Sequence, residues 1–283
     1  MTSARYGDAL VDPAWLAARL GAPDLKVFDG SWYLPRYQRD ATADFARAHI
    51  PGAQRFDVDD VTDPANPLEH MLPSAAMFED KVRALGVNQD DQIVVYDLGV
   101  LIAAPRVWWM FRAMGHDRVA VLEGGLPAWQ AAGQATTAHV APFARGNFRA
   151  RYRPELYRSF SDMRANVASR RDQVLDARSP GRFYGREPED QAPRAGHIPG
   201  SRCLPTAEII DPATKRFLPP ERLRAAFSGA GIDPARPVAT TCGSGIAACT
   251  LALGLYLLGN RTVAVYDGSW TEWGAHPDAP IEV

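Results

Sequence analysis

The 283-residue chain presents the same order of landmarks twice. Each half has a short apolar segment ending in Asp, then a His-Ile-Pro-Gly motif, then two further apolar segments separated by a helical pattern. Matched positions lie 145 to 148 residues apart, as in the pairs Asp29 and Asp176, His49 and His197, and Asp97 and Cys242. This period is far too long for a solenoid repeat, so we interpret the chain as a duplicated domain.

The pattern within each half predicts the fold class. Short β-branched runs alternate with helical patterns, which favours an α/β fold with a parallel sheet flanked by helices. We predict an N-terminal domain over residues 1–138 and a C-terminal domain over residues 157–283. The stretch between them, residues 139–156, lacks periodicity and carries Pro, Gly and Arg, as is typical of a linker.

Composition excludes several classes of function. Apolar residues make up 46% and charged residues 23%, with a net charge of −2, so no basic face favours nucleic acid or an anionic membrane. The longest apolar run, residues 251–258, is too short to span a bilayer, and the N-terminus lacks the apolar segment of a secretory signal. Three cysteines are too few for a disulfide scaffold, so we predict a cytoplasmic protein.

Cys242 lies at the junction of a predicted strand and an apolar helix. In open α/β sheets, ligands bind beyond the carboxyl ends of the strands. The glycine-rich residues after Cys242 can turn their backbone amides toward an anion, and the helix N-terminus adds its positive dipole end. We therefore predict a stabilised, reactive thiolate rather than a small buried hydrophobe. The residues predicted to contact the bound group are Gly243, Gly245, Ile246 and Ala247.

Three motifs connect this site to a family. The stretch "CGSGIAAC", the stretch "YDGSWTEWG" and the two "HIPG" motifs resemble the tandem-domain sulfurtransferases, which are the rhodaneses and the 3-mercaptopyruvate sulfurtransferases. The likeness covers nearly the whole chain. It implies two tandem rhodanese-like domains, of which only the second is catalytic. Asp97 stands where Cys242 stands in the other half, and its loop lacks the glycine spacing of the cradle, which agrees with an inactive N-terminal domain.

The resemblance also implies a reaction. Cys242 takes a sulfur from a donor, becomes a persulfide, and passes the sulfur to cyanide or to a thiol such as thioredoxin or a small dithiol. No metal or organic cofactor is needed. Thiosulfate-specific members typically carry Arg and Lys directly after the cysteine, where this chain has Gly243 and Ser244. We therefore expect 3-mercaptopyruvate as the donor and pyruvate as the product, with thiosulfate and sulfite as the alternative.

Further site residues follow from the family pattern. The mercaptopyruvate branch places an Asp, a His and a loop Ser around the thiol, and the matching positions here are Asp59, His70 and Ser244. Their expected role is to deliver the proton that the leaving enolate needs.

The substrate carboxylate is expected to meet arginine, whose planar fork binds it bidentately. The matching "GRF" motif makes Arg182 the first substrate-binding arginine. The second is ambiguous, because Gln191 occupies the position counted from "EPE" whereas Arg194 precedes "AGHIPG". We carry the role to Arg194 and leave Gln191 open. Arg178 is expected to be structural.

Two other classes of function deserve comparison. A phosphatase also uses a cysteine between a strand and a helix, but it needs an arginine six positions later, where this chain has Ala248. A thiol-based sensor or binding scaffold is not excluded by the motifs alone.

Two further features are expected to be structural. The paired His49 and His197 are expected to serve the fold, and the segment "WWMFR" at residues 108–112 is expected to form a core helix.

Overall fold

The computed structural model of the protein describes residues 9–34, 37–98, 103–189 and 191–283. In the N-terminal half, the strands within these ranges are β1 (Leu10–Val11), β2 (Leu25–Asp29), β3 (Gln54–Arg55), β4 (Gln92–Tyr96) and β5 (Val119–Leu122). Those of the C-terminal half are β6 (Tyr157–Arg158), β7 (Gln173–Asp176), β8 (Arg202–Cys203), β9 (Val238–Thr241) and β10 (Ala264–Tyr266). Each half builds one sheet, and its paired strands are parallel.

The two sheets have the same topology. The strand order is β1-β5-β4-β2-β3 in the first sheet and β6-β10-β9-β7-β8 in the second, so each strand of the second half repeats the place of its counterpart. Strands β4 and β9 are equivalent, and Asp97 and Cys242 directly follow them. The predicted α/β class and the duplication are confirmed. Residues 99–102 of the loop after Asp97 lie outside the described residues.

Helices connect the strands. In the N-terminal half they are α1 (Pro13–Arg19), α2 (Ala41–Arg47), α3 (Ala75–Ala84), α4 (Ala104–Ala113) and α5 (Gly125–Ala131). In the C-terminal half they are α6 (Phe160–Ser169), α7 (Pro180–Phe183), α8 (Pro220–Gly229), α9 (Ala248–Leu257) and α10 (Ser269–Trp273), and short 3-10 turns cover Pro154–Leu156 and Thr206–Glu208.

Local signals at the helix ends explain α1 and α8. The Asp12 carboxylate accepts the Trp15 N–H at 2.7 Å and caps α1, whose first residue is a proline. Glycines with φ of 87° and 79° follow the two helices, at Gly21 and Gly231. These signals explain why both helices begin and end where they do.

Buried helices anchor both sheets. All ten residues of α4 are buried, which confirms the predicted core helix, and its Phe111 packs on Phe28 and Phe78 with ring centroids 6.2 and 5.2 Å away. In the second sheet, α9 is buried along its first eight residues and apolar on all sides. Because α9 cannot shift without exposing this surface, the loop that precedes it is held in place.

The two repeated histidines, His49 and His197, make equivalent contacts in the two halves of the chain. The His49 ring stacks on Phe45 with centroids 4.1 Å apart, and the His197 ring stacks on Phe183 at 3.8 Å. In both pairs the Nδ1 atom lies within 3.0 Å of the carbonyl oxygen of the same phenylalanine. Both histidines are buried, so their expected role in the fold is confirmed.

The chain divides into two compact units that do not follow the sequence halves completely. The first comprises Met1–Asp63, Leu72–Tyr152 and Ala213–Arg216, and the second comprises Pro64–Met71, Arg153–Pro212 and Phe217–Val283. Segment Pro64–Met71, which carries His70, therefore groups with the unit that contains Cys242. In the described ranges, no helix has the length and apolarity that crossing a membrane requires.

Candidate active site

Cys242 directly follows β9 at the carboxyl edge of the second sheet. Its side chain is buried, with a residue exposure of 3%. Two backbone hydrogen bonds fix the start of the loop: Trp270 N–H donates to the Cys242 carbonyl at 3.0 Å, and Thr271 N–H donates to the Gly243 carbonyl at 2.8 Å. The thiol therefore sits on a rigid connection between a buried strand and a buried helix.

Backbone amides surround the Cys242 sulfur. The N–H groups of Ser244, Gly245 and Ala248 hydrogen-bond the sulfur and favour its thiolate. Gly245 has φ of 82°, a left-handed conformation that lets the chain curl back toward the sulfur at little steric cost. The predicted cradle is thus present, and one of its donors is the first residue of α9.

The other residues expected in the cradle contribute differently. The Gly243 carbonyl accepts the Thr271 hydroxyl at 2.9 Å as well as its amide. The carbonyls of Ile246 and Ala247 accept backbone N–H groups at the start of α9, both at 3.1 Å. These three residues therefore hold the shape of the loop.

The charge state of the thiol differs from the prediction. Burial raises the pKa of Cys242, and the nearby Asp176 carboxylate raises it further, whereas the loop amides lower it by less. The predicted effect of the loop amides on the thiolate is present, but desolvation is the largest of these effects, so the pKa of Cys242 lies above its ordinary value rather than below it. Burial therefore favours the neutral thiol, and the loop amides reduce the cost of removing its proton.

Ser269, the first residue of α10, contacts the nucleophile. Its hydroxyl accepts the Cys242 N–H at 3.1 Å, donates to the Tyr266 carbonyl at 2.8 Å, and lies 4.0 Å from the Cys242 sulfur. Ser269 has φ of 49°, unusual for a residue with a side chain, and is fully buried. Ser269 therefore adopts a strained backbone conformation while its hydroxyl holds the Cys242 N–H in place.

A buried network of charges adjoins the loop. Arg182 donates through Nη2 to Glu189 and, at 2.8 Å, to Oε1 of Gln191. Glu189 also accepts from Nη1 of Arg178 at 2.9 Å, and Arg178 in turn pairs with Asp176 at 2.8 Å. Arg178 is 1% exposed along its side chain, which agrees with the structural role expected for it.

The two candidates for the second arginine position lie in different places. Arg194 donates to five backbone carbonyls between residues 273 and 279, including those of Trp273 and Ala279 at 2.9 Å. Its guanidinium is therefore committed to holding the C-terminal segment. Gln191 lies against the catalytic loop, because a Cβ atom built on Gly243 would be only 1.7 Å from the Gln191 Oε1.

The expected proton-transfer residues are distributed over the two units. His70 is 5% exposed and has φ of 63°, and its Nε2 lies 3.6 Å from a Glu69 carboxylate oxygen. Asp59 is exposed and accepts the Trp32 indole N–H at 3.1 Å, beside a cavity of about 260 Å³ lined by residues of the first unit. Ser244 is buried in the catalytic loop.

Comparison with known proteins identifies the family. The model of the rhodanese-like domain matches residues 12–132 and 159–276, so the chain belongs to the rhodanese-like family and carries two of its domains. Within that family it is a sulfurtransferase enzyme, which disfavours the phosphatase and sensor alternatives.

Named relatives match over nearly their full length. The 3-mercaptopyruvate sulfurtransferase of Homo sapiens is 41% identical, covering 96% of this chain and 94% of that protein. The thiosulfate sulfurtransferase of Gallus gallus is 42% identical, covering 94% of this chain and 93% of that protein. The crystal structure of SseA from Escherichia coli, a 3-mercaptopyruvate sulfotransferase, superimposes with a TM-score of 0.85 at 34% identity, over 92% of this chain and 98% of that one.

Proposed function

We propose that the protein transfers sulfur from 3-mercaptopyruvate to a thiol or cyanide through a persulfide on Cys242. Residues 157–283 carry the chemistry, and residues 1–138 form an inactive companion domain joined through the linker 139–156. The observation that carries the choice of donor is the absence of a cationic side chain at the two positions after Cys242, which are Gly243 and Ser244.

The loop charge separates the two donors. Thiosulfate releases sulfite, a dianion, whose departure is helped by cations next to the sulfur. Mercaptopyruvate releases an enolate, which needs a proton and a contact for its remote carboxylate. Losing one charge-assisted contact costs about 1.5–3 kcal/mol, which is at least about tenfold in rate. We therefore expect kcat/KM to favour 3-mercaptopyruvate by at least about tenfold.

The first half-reaction balances without an external proton. As the Cys242 sulfur bonds to the donor sulfur, the carbon–sulfur bond breaks and its electron pair passes to the carbon of the pyruvate enolate. The thiol proton of Cys242 becomes available at the same moment, and the enolate carbon takes up one proton to give pyruvate. A thiol whose pKa is raised by burial suits this exchange, since it brings the proton that the product needs.

We assign the transfer of this proton to Ser244, His70 and Asp59. The support is that Ser244 lies in the catalytic loop and that the buried His70 groups with the unit of Cys242. Arg182 is the proposed contact for the donor carboxylate, through its place beside Gln191.

The second half-reaction regenerates the enzyme. An acceptor thiolate or cyanide attacks the outer sulfur of the persulfide, the sulfur–sulfur bond breaks, and Cys242 leaves as a thiolate. The loop amides that face the sulfur favour this leaving group. We propose a reducing compartment, the cytoplasm, because Cys203, Cys242 and Cys249 are all free thiols.

Steady-state kinetics with both donors test the proposal. The two values of kcat/KM are measured under one buffer and one acceptor concentration. A preference of at least about tenfold for 3-mercaptopyruvate supports the proposal. A preference for thiosulfate would overturn the choice of donor and leave thiosulfate as the substrate.

A further inference from the structure

The Gly243 carbonyl receives two hydrogen bonds from one residue, Thr271. The backbone N–H of Thr271 donates to this oxygen at 2.8 Å, and its side-chain hydroxyl donates at 2.9 Å. The preceding carbonyl, that of Cys242, accepts the Trp270 N–H at 3.0 Å. The first turn of α10 therefore holds two successive carbonyls of the catalytic loop, and Thr271 holds the second of them twice.

The peptide plane transmits this contact to the sulfur. The Gly243 carbonyl and the Ser244 N–H belong to one planar, trans peptide unit, so the two groups point in opposite directions. The Ser244 N–H is one of the amides that hydrogen-bond the Cys242 sulfur. Because Thr271 draws the carbonyl toward α10, it turns this N–H toward the sulfur.

The orientation of this peptide depends on its donors, because Gly243 contributes little to it. Glycine has no Cβ atom and restricts the rotation of an adjacent peptide less than any other residue does. Thr271, in contrast, lies between Trp270 and Trp273, which are 1% and 0% exposed. The indole N–H groups of these tryptophans donate to backbone carbonyls at 3.0 and 2.9 Å. A firmly anchored helix therefore supplies the contact that the loop itself lacks.

We propose that Thr271 is a positioning residue of the sulfur-transfer site, whose hydroxyl fixes the Gly243–Ser244 peptide so that the Ser244 N–H faces the Cys242 sulfur. The hydroxyl acts through the peptide and favours the anionic sulfur both when Cys242 attacks the donor and when it leaves the persulfide. Its effect on turnover rests on the proposed function, whereas its effect on the thiol does not.

Substitutions at this position test the role in turnover. Thr271→Val keeps the shape and the backbone N–H but removes the hydroxyl, and Thr271→Ser keeps both donors. One neutral hydrogen bond changes an equilibrium by about two- to tenfold, so kcat should fall by about that factor in the valine variant and stay at the wild-type value in the serine variant. Thr262→Val, in the exposed turn before β10, is the matched control and should behave as the wild type.

The choice of donor should not change in these variants. The Ser244 N–H acts on the Cys242 sulfur, which takes part in the reaction with either donor. Thr271→Val should therefore lower kcat/KM for 3-mercaptopyruvate and for thiosulfate by the same factor. A loss confined to one donor would show that Thr271 acts on that donor and would overturn the inference.

A second readout needs no sulfur donor. The rate at which iodoacetamide alkylates Cys242 is measured against pH in the otherwise unchanged chain and localised by peptide mapping. The midpoint should rise by about 0.3–1 pH unit in Thr271→Val and return to the wild-type value in Thr271→Ser. Thr271→Ala also lacks the hydroxyl and should move the midpoint in the same direction. The charged side chains on the elements around the thiol are the same in every variant, and they are Asp176, Arg178, Asp267 and Glu272.

The pH profile separates positioning from structural damage. If Thr271→Val lowers the free energy of unfolding but leaves the midpoint unchanged, the hydroxyl is merely structural and the inference is overturned. A serine variant that stays as slow as the valine variant would also contradict it. If the wild type forms no persulfide with either donor while the midpoint still rises in Thr271→Val, the proposed function fails and the positioning of the thiol by Thr271 is supported.

Discussion

Replacing Ser269 with alanine removes the hydroxyl that fixes Cys242. That hydroxyl accepts the Cys242 N–H at 3.1 Å and donates to the Tyr266 carbonyl at 2.8 Å, and all three residues are buried. Alanine leaves the Cys242 N–H without its acceptor, and an unsatisfied buried group costs about 1–3 kcal/mol. We expect the free energy of unfolding to fall by that amount and sulfur transfer to slow, because the sulfur loses its support.

A glycine at the same position separates the hydroxyl from the backbone. Ser269→Gly loses the same hydrogen bonds but relieves the left-handed conformation, which costs a residue with a side chain about 1–2 kcal/mol. The glycine variant should therefore be the more stable of the two while transferring sulfur as slowly as the alanine variant. Urea unfolding followed by tryptophan fluorescence measures the stabilities. An alanine variant as stable as the wild type would refute this reasoning.

Three further predictions concern the loops and the thiol. Asp97→Ala should lower the free energy of unfolding by about 1–2 kcal/mol, since the buried carboxylate accepts an N–H of α4. The rate of sulfur transfer should stay the same, and a loss of rate as large as that of Cys242→Ser would contradict this prediction. Combining Gly243→Arg with Ser244→Lys should shift the kcat/KM ratio toward thiosulfate once Gln191 moves aside, and a shift toward 3-mercaptopyruvate would contradict it. In a variant without Cys203 and Cys249, the rate of alkylation of Cys242 in the folded protein should rise with pH only above the ordinary thiol range, because burial raises the pKa of Cys242. A midpoint of this pH profile below that of the unfolded protein would contradict the prediction.

Much of the fold could be predicted because its signals are local. The proline at the start of α1 and the glycine after α8 act within one turn of the helix they bound. The duplication is visible as a constant offset between matching motifs. The position of Cys242 follows from a β-branched strand meeting an apolar helix, and both elements are as predicted.

The supporting residues could not be predicted, because they meet only in three dimensions. Ser269 lies on another helix, and its contact with Cys242 depends on how α10 packs beside the loop. Asp176 faces the site because β7 pairs with β9 in a register that aligns it with Thr241. Arg194 resembles a substrate arginine in sequence, yet its contacts are carbonyls about eighty residues away.

The pKa of Cys242 depends on a balance that sequence does not reveal. The glycine-rich loop indicates amide donors, and these are present. Their effect is smaller than the cost of burying a charge at a site with 3% exposure, a property set by the packing of α9 and α10 around the loop. The residue types were therefore predictable, whereas the sign of their combined effect was not.

The persulfide on Cys242 is the central claim, and intact-mass analysis tests it most directly. Wild-type protein incubated with 3-mercaptopyruvate and no acceptor should gain the mass of one sulfur atom, localised to Cys242 by peptide mapping, with one pyruvate released per enzyme. Cys242→Ser should fold normally and gain nothing, because serine is nearly isosteric but far less acidic. A wild type that gains no mass, or a variant that still gains it, would contradict the account.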